Sequence, residues 1–283
     1  MGQVPYLPRQ FFELGGSKKK MRKIWIGAIL AGSLALVSCG GDKPAETAKT
    51  DATAPAAGGA AGGTATPDMD NGGTVTGKVS FTGDKPKMAK LDMSAQPKCE
   101  AAHSGQPVVS QEVVVNGNGT LKNAFVWVKS GLPDKQWAIP SNAVGLDQHG
   151  CMYEPHVIAI VAGQNIEVKN SDPTNHNIHP QPTVNAEWNE SQSPGEPPKM
   201  KTFPRQEIMM PVKCNVHPWM RSYINVVGHP FFAVTGDDGT FTIKGLPPGT
   251  YTIEVRHEKY PAQEQQVTVG AKESKTVDFS IKG

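Results

Sequence analysis

From Thr74 onward the chain is a series of short runs in which apolar and polar residues alternate, separated by Gly, Pro, Asn and Asp. In the first run Val75, Gly77, Val79 and Phe81 alternate with polar residues, the period of a half-buried strand. Many short strands with turn residues between them favour a β-sandwich over βαβ units, so we predict an all-β fold with room for one short helix within 88–103. The further predicted strands are 112–115, 124–129, 157–161, 165–169, 206–211, 223–227, 231–235, 240–244, 249–256, 265–269 and 275–281.

The segment 21–39 (MRKIWIGAILAGSLALVSC) has a basic start and an apolar run too short for a permanent membrane-spanning helix. Its end, 36–39 (LVSC), resembles the bacterial lipobox, and this resemblance implies that Cys39 carries lipid in the mature chain. An ordinary cleaved signal or an uncleaved anchor is the alternative. Residues 1–20 precede this signal, and we interpret them as an over-extended start, with Met21 as the true initiator.

Residues 40–73 consist mainly of Ala, Gly, Thr, Pro and Asp, a composition that predicts a flexible linker because it buries little apolar surface. A lipid on Cys39 would place the folded part outside the cytoplasm, tethered to a membrane. By analogy with lipoproteins in general, Gly40 favours the outer membrane in an organism that has one.

Two phrases near the C-terminus have strong turn chemistry. Segment 237–241 (DDGTF) contains an Asp-Gly hairpin signal, and 246–251 (LPPGTY) predicts a second turn that leads into a strand. Together they resemble the carboxypeptidase regulatory-like (transthyretin-like) β-sandwich, whose opening strand pattern occurs far upstream at 73–79. We therefore predict one sandwich split into 74–132 and 229–283, with a second domain inserted at 133–228. Two sequential domains, 74–228 and 229–283, are the alternative.

The phrase 214–220 (CNVHPWM) carries the strongest chemical signal in the chain. Within seven residues Cys214, His217 and Met220 supply a thiolate, an imidazole and a thioether. A thiolate with an imidazole selects copper or zinc, and one Cys, two His and a weak Met are typical of an electron-transfer copper site. The second imidazole has to come from elsewhere, and His176 in the phrase 170–177 (NSDPTNHN) is the candidate, with His179 as its rival.

These two phrases, with the apolar stretch 153–163 before them, resemble the cupredoxin family of plastocyanin and amicyanin over about residues 140–228. The resemblance implies a Greek-key β-sandwich with one type 1 (blue) copper ion. It further implies a trigonal plane of His176, Cys214 and His217, with Met220 as a long axial ligand. Asn177 would join the two ligand loops, and His217 would be exposed at an apolar docking patch.

Cys99 and Cys151 remain once Cys39 is assigned to lipid and Cys214 to copper. Outside the cytoplasm two such thiols are expected to pair, so we predict a Cys99–Cys151 disulfide. The alternative is a second metal site in which Cys99 acts with a nearby histidine, His103, and Cys151 with His156. The other histidines have no metal-ligand spacing; they are His149, His229 and His257.

The function predicted from these features is that of a single-electron carrier and not of an enzyme, with an oxidase, a dehydrogenase or a cytochrome as its redox partner. A formal net charge of +2 without a basic stripe gives no reason to expect nucleic-acid binding. The chain lacks the His-x-His pairs of multicopper enzymes, the Gly-rich phosphate loop and the H-E-x-x-H helix. Copper delivery, or a structural sandwich without metal, are the alternative functions.

Overall fold

The computed structural model describes residues 64–283. The predicted start at 1–20, the signal segment 21–39 with Cys39, and most of the predicted linker lie outside the described residues. None of the helices within 64–283 has the length and apolar character that crossing a membrane requires.

The described part of the chain is built almost entirely of β-strands, with one six-residue helix, α1 (Pro97–Ala102). The strands are β1 (Gly73–Thr82), β2 (Phe125–Ser130), β3 (Val144–His149), β4 (Met152–Glu154), β5 (Val157–Val161), β6 (Ile166–Asn170), β7 (His176–Pro180), β8 (Glu190–Gln192), β9 (Lys199–Lys201), β10 (Glu207–Lys213), β11 (Arg221–Val227), β12 (Phe232–Val234), β13 (Thr240–Leu246), β14 (Gly249–Arg256), β15 (Gln263–Val269), β16 (Ser274–Thr276) and β17 (Phe279–Lys282). The predicted all-β, β-sandwich class is confirmed.

The first sandwich, here called the outer sandwich, has a sheet in which β13, β16 and β17 all pair with β1, and a second sheet ordered β12-β2-β14-β15. Its cluster of buried apolar side chains combines residues from both ends of the described chain. Val79 of β1, Phe241 of β13 and Ile253 of β14 are nearly or fully buried in it. Alternation along each strand points these side chains inward, and their burial supplies the main stabilising term of this region.

The second sandwich, here called the inner sandwich, has sheets ordered β5-β11-β10-β7-β8 and β4-β3-β6-β9. Its core differs in chemistry, because polar and sulfur-containing side chains are buried beside the aliphatic ones. The core also includes Met93 and Cys99, which lie upstream of the predicted inserted domain. The segment around α1 therefore packs with the inner sandwich and not with the outer one.

A third apolar cluster joins the two sandwiches. Phe125 and Trp127 of β2 turn away from the outer core and pack against Val227 at the end of β11. Val126 and Val128, the alternate residues of β2, face the outer core. β2 is therefore buried on both faces, which explains its continuous apolar run.

Local turn chemistry was predicted correctly, but the pairing of strands was not. Gly239 adopts a positive φ of 69°, and Asp238 accepts hydrogen bonds from the backbone and hydroxyl of Thr240. This turn nevertheless joins β12 to β13, which lie in different sheets, so the predicted hairpin is wrong. β13 pairs instead with β1, and the paired residues, from Lys78 with Thr240 to Gly73 with Leu246, lie far apart in the chain.

Two predicted segments differ from the structure. Residues 112–115 form no strand, and there only Val115 makes an isolated bridge, to Leu121. The last part of the predicted linker lies against the outer sandwich: Ala65 exchanges backbone hydrogen bonds with the segment 136–138, and Asp68 bonds to Gly245. These backbone contacts anchor residues whose side chains bury little apolar surface.

Candidate metal centre

The phrase 214–220 forms the loop between β10 and β11, which pair in antiparallel register up to Lys213 and Arg221. Two backbone hydrogen bonds close the loop on itself, from Cys214 N to Met220 O at 3.2 Å and from Met220 N to His217 O at 3.0 Å. Two residues separate Cys214 from His217, and two separate His217 from Met220, which fits this tight loop. All three side chains are buried within the inner sandwich.

The phrase 170–176 forms the loop that leads from β6 into β7. Asn170 organises it, because its amide nitrogen donates to the carbonyls of Thr174 and Gln192 at 2.9 Å each, and its oxygen accepts from Asp172 N at 3.0 Å. The loop places His176 at the first position of β7 with its side chain completely buried.

The two loops meet in the core. The Nδ1 atoms of His176 and His217 lie 3.0 Å apart, and Cys214 Sγ lies 3.7 Å from His217 Nδ1. Ligand atoms of these three side chains all lie within 4.8 Å of one another. Met220 is fully buried in the same core, and its backbone forms hydrogen bonds with Cys214 and His217. His179, the rival, instead contacts Glu187 and Asn215.

The outer nitrogen of each imidazole has a different partner. His176 Nε2 donates to Asp172 Oδ2 at 2.8 Å, and His217 Nε2 lies 3.5 Å from Cys99 Sγ. A neutral His176 with its proton on Nε2, where Asp172 accepts it, presents its Nδ1 lone pair toward His217 Nδ1, 3.0 Å away. Imidazole nitrogens beside a thiolate suit a soft metal ion. The donor set therefore fits a copper ion.

The electrostatics of the site favour a deprotonated sulfur. Burial raises the pKa of the Cys214 thiol, but hydrogen bonding to His176 and to the Asn177 N–H outweighs burial, so its pKa is lowered overall. Burial and the adjacent charge of His176 lower the pKa of His217 to about 4. A thiolate and a neutral imidazole are the protonation states in which these groups bind metals.

Asn177 links the two loops, as the cupredoxin resemblance implies. Its side-chain oxygen accepts from Asn215 N in the cysteine loop, and its amide nitrogen donates to Asn189. Its backbone N–H also points at Cys214 Sγ, 3.5 Å away, and its carbonyl accepts from Tyr153 OH at 2.5 Å. Such bonds restrict the movement of the ligands relative to one another.

The expectation that His217 is exposed at the surface is wrong. His217 is completely buried, because the Cys99–Cys151 disulfide covers its outer edge. This disulfide joins α1 to the turn after β3, and neither sulfur is appreciably exposed. Trp219 lies alongside, with its indole nitrogen donating to Cys151 O at 3.0 Å and its ring centroid 5.3 Å from that of His217.

Because Cys99 and Cys151 are bonded to each other, their sulfurs are not available as thiolates. The proposed partners of the alternative second metal site also lie elsewhere: His103 contacts the Gly150 carbonyl, and His156 contacts Glu258. Among the described residues Cys214 is the free cysteine.

Asp172, which no motif in the sequence marks as a ligand, also belongs to the site. Its carboxylate accepts from His176 and from the backbone N–H groups of Gly150 and Cys151, the latter two at 2.7 Å. Burial raises the pKa of Asp172, but these hydrogen bonds lower it by a larger amount, so the net shift is downward. Its position four residues before His176 in the phrase NSDPTNH was the available signal.

The carboxypeptidase regulatory-like domain model matches residues 223–282, which include most of β11 in the inner sandwich and strands β12 to β17 of the outer sandwich. The sequence matches no curated protein.

Three solved structures show weak similarity to part of the chain. A copper-containing nitrite reductase from Thermus scotoductus SA-01 is 19% identical over 34% of this chain and 25% of its own length, with a TM-score of 0.29. A purple cupredoxin from Nitrosopumilus maritimus is 18% identical over 29% of this chain and 98% of its own, with a TM-score of 0.26. A copper(I) amicyanin variant is 19% identical over 36% of this chain and 97% of its own, with a TM-score of 0.27. The chain thus spans a quarter of the nitrite reductase.

Proposed function

We propose that this protein holds one copper ion in a type 1 centre and carries single electrons. The observation that supports this most strongly is the convergence of two imidazole Nδ1 atoms and one thiol in a buried core, with both outer imidazole nitrogens engaged by other groups. His176, Cys214 and His217 would hold the ion, and Met220 would be the weak fourth ligand.

A bound copper ion would supply a one-electron couple between copper(II) and copper(I). The protein's contribution is to keep the ligands fixed through the change of charge. Asp172 holds the His176 ring through Nε2, and Asn177 holds the cysteine loop through Asn215 N. Because these side chains are buried and bonded to backbone groups, little rearrangement accompanies electron transfer.

The proposal extends to location and partners. A lipid on Cys39 would tether the folded part outside the cytoplasm, on the periplasmic side of the outer membrane in an organism that has one. There the protein would exchange electrons with an oxidase, a dehydrogenase or a cytochrome, as a carrier and not as an enzyme. The buried disulfide supports an oxidising compartment, since disulfides persist outside the cytoplasm.

The test is to add Cu(II) to the metal-free full chain and to record its visible spectrum and copper EPR. An intense thiolate-to-copper charge-transfer band with narrow hyperfine splitting is expected, and Cys214→Ser should abolish it. His179→Ala, which alters a histidine outside the cluster, is the matched control and should keep the band. A colourless protein, or weak bands that survive Cys214→Ser, would refute the type 1 centre and favour copper delivery or a structural role.

A further inference from the structure

The burial of His217 changes where an electron can enter. Both imidazoles are completely buried, and their outer edges meet a disulfide and a carboxylate instead of solvent. The half-buried Trp219 ring, centred 5.3 Å from the His217 ring, is the aromatic group that lies between His217 and a cavity.

That cavity has a volume of about 250 Å³. It lies where the two sandwiches meet, since Trp219 and Arg221 come from the inner sandwich and Glu258 lies two residues after the end of β14 in the outer one. Ligand pockets for drug-sized molecules are about 300–1,000 Å³, so a cavity of this size suits one aromatic ring with small substituents.

The lining is mostly polar and has a smaller apolar part formed by Leu91, Met152 and Trp219. The Glu258 carboxylate is nearly buried and bonded to His156, and Arg221 forms no ion pair with any described residue. A carboxylate accepts hydrogen bonds and an unpaired guanidinium packs on aromatic faces, so these groups suit a ring that carries a hydroxyl group.

A metal ion is a poorer candidate for the electron donor at this place. Three groups of His, Cys, Asp and Glu among residues 64–283 are close enough to hold a metal, and none of them includes a residue that lines the cavity. A large protein surface is also disfavoured, because a concave cavity of one-ring size admits a small molecule and not a flat docking face.

We propose that the cavity beside Trp219 binds a small phenol or hydroquinone as electron donor, with its hydroxyl group on Glu258 and its ring against Trp219. This inference rests on the proposed function. In the redox step the phenol would give one electron to a copper(II) ion held by His176, Cys214 and His217, which would become copper(I), and one proton, which would pass from the hydroxyl to the Glu258 carboxylate. A phenoxyl radical is the product that leaves.

The first experiment needs no metal. Hydroquinone is titrated into the metal-free full chain while the tryptophan indole N–H signals are followed by NMR, with the Trp219 signal assigned from its absence in Trp219→Phe. A saturable shift of the Trp219 signal is expected, while the signal of Trp127, which is bonded to Glu254 in the outer sandwich, should not move. 1,4-Dimethoxybenzene, which lacks the hydroxyl donor, should bind more weakly.

Two variants test the assignment. Glu258→Gln removes the charge, and we expect affinity for hydroquinone to fall about tenfold because charge-assisted hydrogen bonds are the stronger kind. Leu91→Trp fills the cavity and should abolish the saturable shift even if Glu258→Gln perturbs folding. Glu264→Gln, on an exposed carboxylate of β15 paired with Lys129, is the matched control and should bind as the wild type does.

The outcomes separate this inference from the proposed function. A normal copper band without saturable hydroquinone binding, or with binding unchanged by Leu91→Trp, would overturn the donor site and leave the copper centre intact. Hydroquinone binding without a copper band would overturn the electron-donor role. With both present, Leu91→Trp should slow reduction by hydroquinone about tenfold but not reduction by hexaammineruthenium(II), an outer-sphere donor that needs no cavity.

Discussion

The two sandwiches share the same alternating strand pattern, but their cores bury different kinds of side chain. The outer core is built of aliphatic and aromatic side chains and is stabilised by apolar burial. The inner core buries two histidines, an aspartate and a free cysteine among its apolar residues. Burying such groups is costly unless each is hydrogen-bonded or holds an ion.

This difference between the cores indicates that the inner sandwich depends on a bound ion more than the outer sandwich does. Every nitrogen of the two buried imidazoles faces another group, and a cation between their Nδ1 atoms would complete the set. A bound metal should therefore stabilise the inner sandwich, and changes in the outer core should leave the metal spectrum unaltered.

The largest expected effect comes from the outer core. Phe231 is completely buried, with its ring edge-on to Trp137 at 4.7 Å, so Phe231→Ala should lower the free energy of unfolding by about 3–5 kcal/mol. Urea denaturation measures this change, with the exposed Val184→Ala as control. The copper spectrum of the folded variant should be unchanged, and an altered spectrum would contradict the independence of the two cores.

The disulfide gives the next largest effect and acts on the inner sandwich. Cys99 and Cys151 are 52 residues apart in sequence, and removing both as Cys99→Ala/Cys151→Ala should cost about 2–4 kcal/mol. The variant should also expose the outer edge of His217, which the Cys99 sulfur covers. Hydrogen exchange of the β10–β11 loop should rise while exchange in β13 and β14 stays the same; equal increases in both sandwiches would contradict this prediction.

The smallest effect tests a buried carboxylate of the inner sandwich. Glu207 accepts hydrogen bonds from the backbone N–H groups of Thr183, Val184 and Asn185 and from the Thr183 hydroxyl and the Asn185 amide. Burial raises the pKa of Glu207, but these donors outweigh burial and lower it from its ordinary 4.5. Glu207→Gln should cost about 1.5–3 kcal/mol at neutral pH.

The pH dependence has a defined sign. Because the pKa of Glu207 is lower in the folded state, its stabilisation is present above pH 4.5 and is lost as the pH falls through the folded value. Wild type should thus lose stability more steeply than Glu207→Gln below pH 4.5 in urea titrations. The exposed Glu167→Gln is the control, and parallel acid profiles for wild type and Glu207→Gln would refute the assignment.

The inner sandwich also shows the limit of strand prediction. Its short strands β3, β4, β7, β8 and β9 were not predicted, because runs such as 176–180 (HNIHP) contain more polar residues than apolar ones. Some of their polar side chains, such as His176 and Asn177, are buried and form hydrogen bonds with neighbouring loops. Periodicity alone does not contain this information, since it scores each residue without its tertiary partners.

The sequence by itself determined the all-β class, the turn at Gly239 and the candidate ligands, because alternation, turn chemistry and ligand types are local properties. Only the tertiary structure decided that β1 pairs with β13, that Asp172 orients His176, and that the disulfide covers His217. Each of these depends on residues far apart in the chain, or on the direction of a side chain within a fold. No local pattern fixes such contacts, because they follow from the packing of whole sheets.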